Sequence, residues 1–358
     1  MQTNLKVKTF EKFLDNEPNL FDGGHKNRTS FTVVREICAN LKLNNSSKIL
    51  VLFNVEFVID LVYNQGVPIG NITFYSDHAN KTDLVKRIGI INFMKKIDDN
   101  TIKFDVVLTN PPYQDDDGNS VSWFHIKNAL DKVKPGGYLA VVSSRGWVNG
   151  KATQKGFSAT SNFCKLRDWQ IEAINPDTNK HFKVDKSTNY FILNKVPRQK
   201  ITNILSEDQN FSIDLSKYNF LPYWLNALTY SIFEKIMAKK NFWFDFQDIN
   251  ASNSPAVCYP RSKYIAFDSV IVSDGSKMPS SKKFTASKIK AQDIAHCKFL
   301  FGSTLFKFLH FIYGGKDGVS PGYLRKLPKV PTSILNDADL YKYFGFSQKE
   351  IEYIEANV

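Results

Sequence analysis

Nine consecutive residues, 105–113, have types and a spacing that suit chemistry on a planar amine. Asp105 opens a short apolar run, which is typical of a buried strand. The run ends at Asn110, which is followed by Pro111, Pro112 and Tyr113. Prolines cannot continue a strand ladder, and they hold the residue before each of them in an extended conformation. The sequence therefore predicts that the Asn110 side chain lies at the carboxyl end of a strand, where open α/β sheets bind ligands.

An asparagine at this position can activate an amine that is conjugated to a ring. Such an amine is a poor nucleophile because its lone pair is delocalised, and the Asn110 carbonyl together with a backbone carbonyl can accept its N–H bonds and localise the lone pair. The ring of Tyr113 offers a face on which a flipped base can stack. The alternative interpretation is a simple turn, because Asn-Pro is a turn signal.

The arrangement Asp-x-x-x-x-Asn-Pro-Pro-Tyr resembles the catalytic motif of the S-adenosylmethionine-dependent N6-adenine DNA methyltransferases of restriction-modification systems. The resemblance implies that Asn110, Pro111, Pro112 and Tyr113 form the catalytic loop. It also implies S-adenosylmethionine as the cofactor, and double-stranded DNA with a flipped adenine as the substrate. A restriction-modification subunit is the implied protein partner. The segment order resembles the class in which the cofactor motifs come first and the target-recognition region last.

The predicted strand from Lys48 to Phe53 stands where the family binds the methionine end of the cofactor. The family has a glycine-rich turn after this strand, but here Asn54 and Glu56 follow and no glycine is present. Asn54 can take the left-handed conformation that glycine would supply, and a partly closed pocket is the alternative. The resemblance assigns Phe53, Asn54 and Glu56 to the cofactor, with Glu56 facing its amine. It also assigns Thr29, for which a plain helix N-cap is the alternative.

Two further strands supply the remaining cofactor candidates. Asp77 ends the segment from Gly70, and a carboxylate at such a strand end can accept bonds from ribose hydroxyls. The alternative is that Asp77 only terminates the strand. A short strand is predicted over 88–93, and the resemblance places Asn92 and Phe93 against the adenine of the cofactor, with Asn92 replacing the acid of the family.

Later segments supply candidates for the substrate. Phe191 lies in the predicted strand from Thr188 to Leu193, and either it or Tyr190 resembles the aromatic residue that contacts the extruded base in the family. A core aromatic is the favoured alternative. Asp115, Asp116 and Asp117 lack the ligand spacing of a calcium loop, so we predict a solvated loop and no metal.

Basic residues are concentrated near the C-terminus. Between Arg261 and Pro331 the chain has 13 lysine and arginine residues and 4 aspartates, so this segment carries +9 of the whole-chain charge of +12. Such a segment suits phosphate contacts, although a solvated face is the common alternative. The predicted DNA contacts in this segment are Lys282, Lys283 and Lys316.

Length and composition set the architecture. A chain of 358 residues suits about two domains. We predict an α/β fold: a Rossmann-like methyltransferase domain with a mostly parallel sheet over 1–197, and a smaller mixed α+β target-recognition region over 198–358. The chain has no apolar run of membrane length and no signal-peptide core, and four scattered cysteines fit the cytoplasm.

Two other functions stay open at this level. The glycine-free turn suits a catalytically impaired subunit that keeps the fold and binds DNA. The Asn-Pro-Pro-Tyr loop also serves methyltransferases that act on RNA or on a protein glutamine, although the basic C-terminal region argues against a protein substrate.

Overall fold

The fold is known from a computed structural model, which describes part of the chain. The described residues are 29–99, 101–113, 122–153, 155–182, 187–199, 201–243, 248–249, 254–260, 270–279, 284–314 and 321–358. Their helices are α1 (Phe31–Ala39), α2 (Val55–Tyr63), α3 (Ala79–Ile88), α4 (Ser122–Lys132), α5 (Asn162–Arg167), α6 (Ala227–Ala238), α7 (Ile294–Gly302), α8 (Thr304–Gly314), α9 (Pro321–Leu324), α10 (Asp337–Phe344) and α11 (Gln348–Ala356).

The strands fall into three sheets. Their bounds are β1 (Ile49–Leu52), β2 (Ile72–Tyr75), β3 (Asn92–Phe93), β4 (Phe104–Thr109), β5 (Val133–Ser144), β6 (Ala152–Thr153), β7 (Gly156–Phe157), β8 (Trp169–Asn175), β9 (Thr188–Pro197), β10 (Thr202–Ile204), β11 (Phe211–Ile213), β12 (Asp248–Ile249), β13 (Ala256–Pro260), β14 (Ile271–Ser273) and β15 (Phe284–Lys288). The first sheet has the order β11-β10-β8-β9-β5-β4-β1-β2-β3, the second β12-β15-β13-β14, and the third pairs β6 with β7.

The large sheet is mostly parallel, as predicted. Strands β3, β2, β1, β4 and β5 pair in parallel in that order, and β10 is parallel to β8. Only the pairs of β9 with β5 and β8, and of β10 with β11, are antiparallel among the described strands of this sheet. This confirms the prediction of a Rossmann-like α/β fold followed by a smaller mixed region. The carboxyl ends of β1, β2, β4 and β5 therefore share one edge.

The chain divides into two compact units. One unit comprises Met1–Arg145 with Leu166–Leu215, and the other comprises Gly146–Lys165 with Ser216–Val358. The predicted domain boundary between residues 197 and 198 falls between β9 and β10, which belong to the same sheet.

An apolar core surrounds the centre of the large sheet. All four residues of β1 are fully buried, as expected for a strand that is covered on both faces. Helix α1 adds Val33 and Ile37 to this core, and α2 adds Phe57 and Val58. The core holds the ends of β1 and the starts of both helices in place, and the candidate site lies there.

The predicted strand over 88–93 is wrong for most of its length. Ile88 is the last residue of α3, and Gly89 follows it with a φ of 105°, the left-handed conformation that ends many helices. Only Asn92 and Phe93 form a strand. The apolar residues before them belong to the buried side of the helix and its cap, which a short apolar run cannot distinguish from a strand.

In the described part of the chain, no helix combines the length and the apolar character that a membrane span requires.

A close approach of two segments in the second unit predicts a loss of stability. The backbone N–H of Leu221 bonds to the Val148 carbonyl at 3.0 Å, and this pairing brings Gly150 against Asn219. A Cβ atom on Gly150 would overlap the Asn219 carbonyl group, with the carbonyl carbon at only 2.8 Å. We expect Gly150→Ala to lower the free energy of unfolding by about 1–3 kcal/mol, because backbone atoms cannot move aside easily.

Chemical denaturation measures this loss, and Gly302→Ala is the matched control. A Cβ atom on Gly302 would meet no atom within 4 Å, and this residue ends α7. The control should therefore keep the parental stability or gain slightly. Equal stability of the two variants would contradict the predicted overlap.

Candidate active site

The site begins where β1 and β4 end side by side. Leu52 pairs with Thr109 in the parallel register, so Asn54 and Asn110 leave the sheet at the same edge. The Asn54 side-chain oxygen accepts the backbone N–H of Asn110 at 2.7 Å. Both asparagines are buried. The structure thus brings together two predicted residues that lie 56 positions apart in the chain.

The Asn110 amide is held in one orientation. Its Nδ2 donates to the Thr29 hydroxyl at 3.0 Å, and the Asn54 Nδ2 donates to the same hydroxyl at 3.3 Å. On the other side, the Tyr113 hydroxyl donates to the Asn110 Oδ1 at 2.9 Å. Burial raises the pKa of the Tyr113 phenol well above its ordinary value, so the phenol stays protonated. An amide oxygen has two lone pairs, so Oδ1 can accept one more donor.

Glu56 completes this network from the start of α2. The helix begins at Val55, so only Phe53 and Asn54 separate it from β1. Glu56 lies in its first turn with 1% of its surface exposed, and its Oε1 accepts the backbone N–H of Thr29 at 3.0 Å. A carboxylate is favourable at a helix N-terminus. An immediate helix start therefore follows β1, at the place where the resemblance led us to look for a glycine-rich turn.

Phe53 adopts the unusual backbone conformation in the short connection. Its φ is 70°, whereas Asn54 is extended with a φ of −118°. The left-handed conformation that Asn54 could have supplied therefore falls on Phe53. Left-handed φ in a bulky residue costs about 1–3 kcal/mol and persists only where the surroundings enforce it. Here the Phe53 N–H donates to the Tyr75 carbonyl at 2.7 Å. The Phe53 ring packs edge-on against the His125 ring, with 5.2 Å between the two ring centres.

Lys81 is a site residue that the sequence interpretation missed. It lies in the first turn of α3 and is 5% exposed, and its Nζ donates to the Phe53 carbonyl at 3.1 Å. Burial lowers the pKa of the Lys81 amine, and the negative charges of Glu56 and Asp77 oppose that shift. The sequence gives one indication that Lys81 belongs to the site. The residue lies four positions after Asp77, at the predicted edge of the sheet.

The other predicted cofactor residues are more dispersed. Asp77 follows β2 at the same edge, with half of its side chain exposed, and lies 3.7 Å from the His78 ring. The Asn92 amide instead donates to the Gly70 carbonyl at 2.8 Å, near the amino end of β2. Phe93 is partly buried and has the Lys86 amine 5.9 Å from the centre of its ring. The structure therefore does not bring Asn92 to the cluster around Asn110.

The predicted substrate residues lie elsewhere or outside the described residues. Phe191 is fully buried in β9, opposite Val141 of β5 and Ile174 of β8. Its contact with an extruded base stays a prediction. The other predicted substrate residues lie outside the described residues; they are Lys282, Lys283 and Lys316. The aspartates at 115–117 also lie outside them.

Known proteins share parts of this architecture. Residues 76–172 match the family model described as "Methyltransferase small domain". No curated protein matches the chain. Solved structures with a similar fold include a Vibrio vulnificus YJ016 protein described as a modification subunit of a type I restriction enzyme. It shares 13% identity over 56% of this chain and 51% of that chain, with a TM-score of 0.42.

Two further solved structures show the same likeness. A Listeria monocytogenes protein described as a class I S-adenosylmethionine-dependent methyltransferase shares 18% identity over 50% of this chain and 64% of that chain, with a TM-score of 0.38. The type IIG restriction endonuclease BpuSI shares 11% identity over 67% of this chain and 37% of that chain, with a TM-score of 0.41. The chain spans about half the length of the Vibrio protein and under two thirds of the Listeria protein.

Residues 76–172 match the family model, and the mostly parallel sheet agrees with a domain of the methyltransferase type, for which S-adenosylmethionine is the cofactor. The residues after β1 and β2 fit the ammonium end of that cofactor. The Phe53 carbonyl and the charges of Glu56 and Asp77 already stabilise one ammonium group, that of Lys81. The chemistry of these acceptors therefore suits a bound primary amine.

Proposed function

We propose that this chain is a site-specific DNA methyltransferase of a restriction-modification system, which acts in the cytoplasm on the N6 amine of a flipped adenine. The single observation that carries the proposal is the buried Asn110 amide at the carboxyl end of β4. Its Nδ2 is fixed by Thr29, so its oxygen is the atom left to accept a hydrogen bond from an incoming amine.

The chain's own residues prepare the amine. S-adenosylmethionine supplies, when bound, an electrophilic methyl group. The Asn110 Oδ1 accepts one N–H of the adenine amine, which localises the nitrogen lone pair before transfer, and the second amine proton leaves to solvent afterwards. Pro111 and Pro112 hold the loop backbone extended, and the Tyr113 ring stacks on the base. Thr29 positions the Asn110 amide through the bond at 3.0 Å.

The cofactor end of the site follows from the same edge of the sheet. Glu56 pairs with the cofactor's ammonium, and Asp77 accepts bonds from its ribose hydroxyls. Phe53 and Asn54 form the connection that lies against it. The proposal also keeps Asn92 and Phe93 for the adenine ring of the cofactor, although Asn92 contacts Gly70 in this structure.

The basic C-terminal segment supports a double-stranded DNA substrate. Its excess of nine positive charges between residues 261 and 331 suits contacts with phosphates, and Lys282, Lys283 and Lys316 are the proposed contacts. The Vibrio protein is described as a subunit of a restriction enzyme, and BpuSI is a restriction endonuclease. We extend that association to this chain as a proposal, with a restriction-modification subunit as its partner.

A second candidate function is a DNA-binding subunit without catalysis. The observation that favours it is the Lys81 ammonium, which is already bound to the carbonyl at the end of β1.

An acceptor screen with labelled S-adenosylmethionine tests the proposed function. Label should enter duplex DNA, and label that enters only RNA or protein would contradict the choice of substrate. No label in any acceptor would favour the non-catalytic subunit.

A further inference from the structure

Lys81 lies beside the residues that are proposed to bind the ammonium group of the cofactor. Its Nζ donates to the Phe53 carbonyl at 3.1 Å, and its side chain is almost completely buried. The negative charge of Glu56, the residue proposed to pair with the cofactor's amine, favours the charged form of Lys81 and opposes the effect of burial on its pKa. The internal ammonium and the proposed ligand ammonium therefore share one carboxylate and one stretch of backbone.

The connection between β1 and α2 is short, so a second ammonium group there would use acceptors that already have partners. Only Phe53 and Asn54 lie between the two elements, and the Asn54 side-chain oxygen is engaged with the Asn110 backbone. The Glu56 Oε1 already accepts the Thr29 N–H. A second ammonium group at this place would meet the positive charge of Lys81, and two buried like charges repel strongly.

We propose that Lys81 is an internal competitor for the ammonium group of the cofactor, and that its amine must leave the Phe53 carbonyl before the cofactor binds there. This inference rests on the proposed function, because it assumes that S-adenosylmethionine binds at the end of β1. Because the Lys81 side chain is almost completely buried, its amine must move out of this position to release the acceptors. Lys81 thereby raises the cofactor concentration that is needed for binding. It weakens the binding of ligands that carry an ammonium group more than the binding of ligands that lack one.

The proposal predicts that removing the lysine charge increases affinity. Lys81→Met keeps the aliphatic stem but lacks the ammonium, so the acceptors become available to the ligand. If the internal contact occupies nine tenths of the free protein, affinity should rise about tenfold. Arg87→Met is the control on the same helix, because Arg87 carries a positive charge in the last turn of α3 and is exposed. That control should bind like the parent.

Calorimetric titration with two probes tests the proposal. S-adenosylhomocysteine keeps the ammonium group, whereas 5′-methylthioadenosine lacks the whole amino-acid end. Lys81→Met should bind S-adenosylhomocysteine about tenfold more tightly than the parent and bind 5′-methylthioadenosine equally well. Lys81→Gln serves as a second variant, since its amide can still donate to the Phe53 carbonyl without a charge. It should show a smaller gain, and thermal melting shows whether both variants are folded.

The outcomes separate this inference from the proposed function. Unchanged or weaker binding of S-adenosylhomocysteine by folded Lys81→Met, while the parent binds, would overturn the competitor and leave the proposed function standing. An equal gain for both probes would also overturn it, because the effect would then not depend on the ligand's ammonium. No binding by the parent and by every variant would overturn the proposed function and the inference with it.

Discussion

Asn110→Ala should lower the rate of methyl transfer to DNA by about 100-fold or more, with little change in affinity for S-adenosylmethionine or DNA. Preorganised polar groups that act on the reacting atom contribute on this scale. The Asn110 oxygen is buried and oriented through Thr29, so water cannot replace it freely in the variant. Single-turnover kinetics with saturating cofactor and DNA measure the chemical step directly.

The control for this experiment is Asn203→Ala. Asn203 lies exposed in β10 of the same sheet, and its side-chain oxygen accepts the Ser212 hydroxyl. It should leave the rate unchanged. Thermal melting of Asn110→Ala is needed as well, because the change also removes the acceptor of the Tyr113 hydroxyl. A folded Asn110→Ala variant that methylates at the parental rate would show that the amide has no catalytic role.

Glu56→Gln should weaken binding of S-adenosylmethionine by about 10- to 100-fold. Hydrogen bonds to charged groups contribute about 1.5–3 kcal/mol, and about 1.4 kcal/mol corresponds to a factor of ten. The glutamine oxygen can still accept the Thr29 N–H, so the fold should persist.

The loss of cofactor affinity caused by Glu56→Gln should be larger when Lys81 is also replaced by methionine, because in the parent the carboxylate also stabilises the competing lysine. Titration of the two single variants and the double variant measures this coupling.

Asp83→Asn is the matched control for the carboxylate. Asp83 lies on α3, is exposed and pairs with Lys86. Its replacement should leave cofactor affinity within about twofold, since exposed ion pairs contribute little. Parental affinity in folded Glu56→Gln would remove Glu56 from the proposed amine site.

The position of Asn110 was predictable from the sequence because local chemistry determines it. A buried apolar run followed by two prolines allows few conformations, so the end of β4 could be located without knowledge of its neighbours. The mostly parallel sheet was predictable for a similar reason, since buried strands alternate with helical segments along the chain.

Other features of the site depend on contacts between distant segments. The left-handed Phe53 is held by Tyr75 and Lys81, and no local pattern assigns such a conformation to a phenylalanine instead of the adjacent asparagine. The shared Thr29 hydroxyl joins residues 81 positions apart. Lys81 itself looks like an ordinary surface lysine until the end of β1 is brought beside α3.

Nucleoside analysis of methylated DNA tests the central claim most directly. Unmethylated duplex DNA of mixed sequence is incubated with the full chain and S-adenosylmethionine, digested to nucleosides and analysed by mass spectrometry. The proposed mechanism predicts N6-methyldeoxyadenosine with the parental chain and a loss of about 100-fold with Asn110→Ala. Methylated cytosine in place of methylated adenine, or no methylated nucleoside although the protein binds both cofactor and DNA, would contradict it.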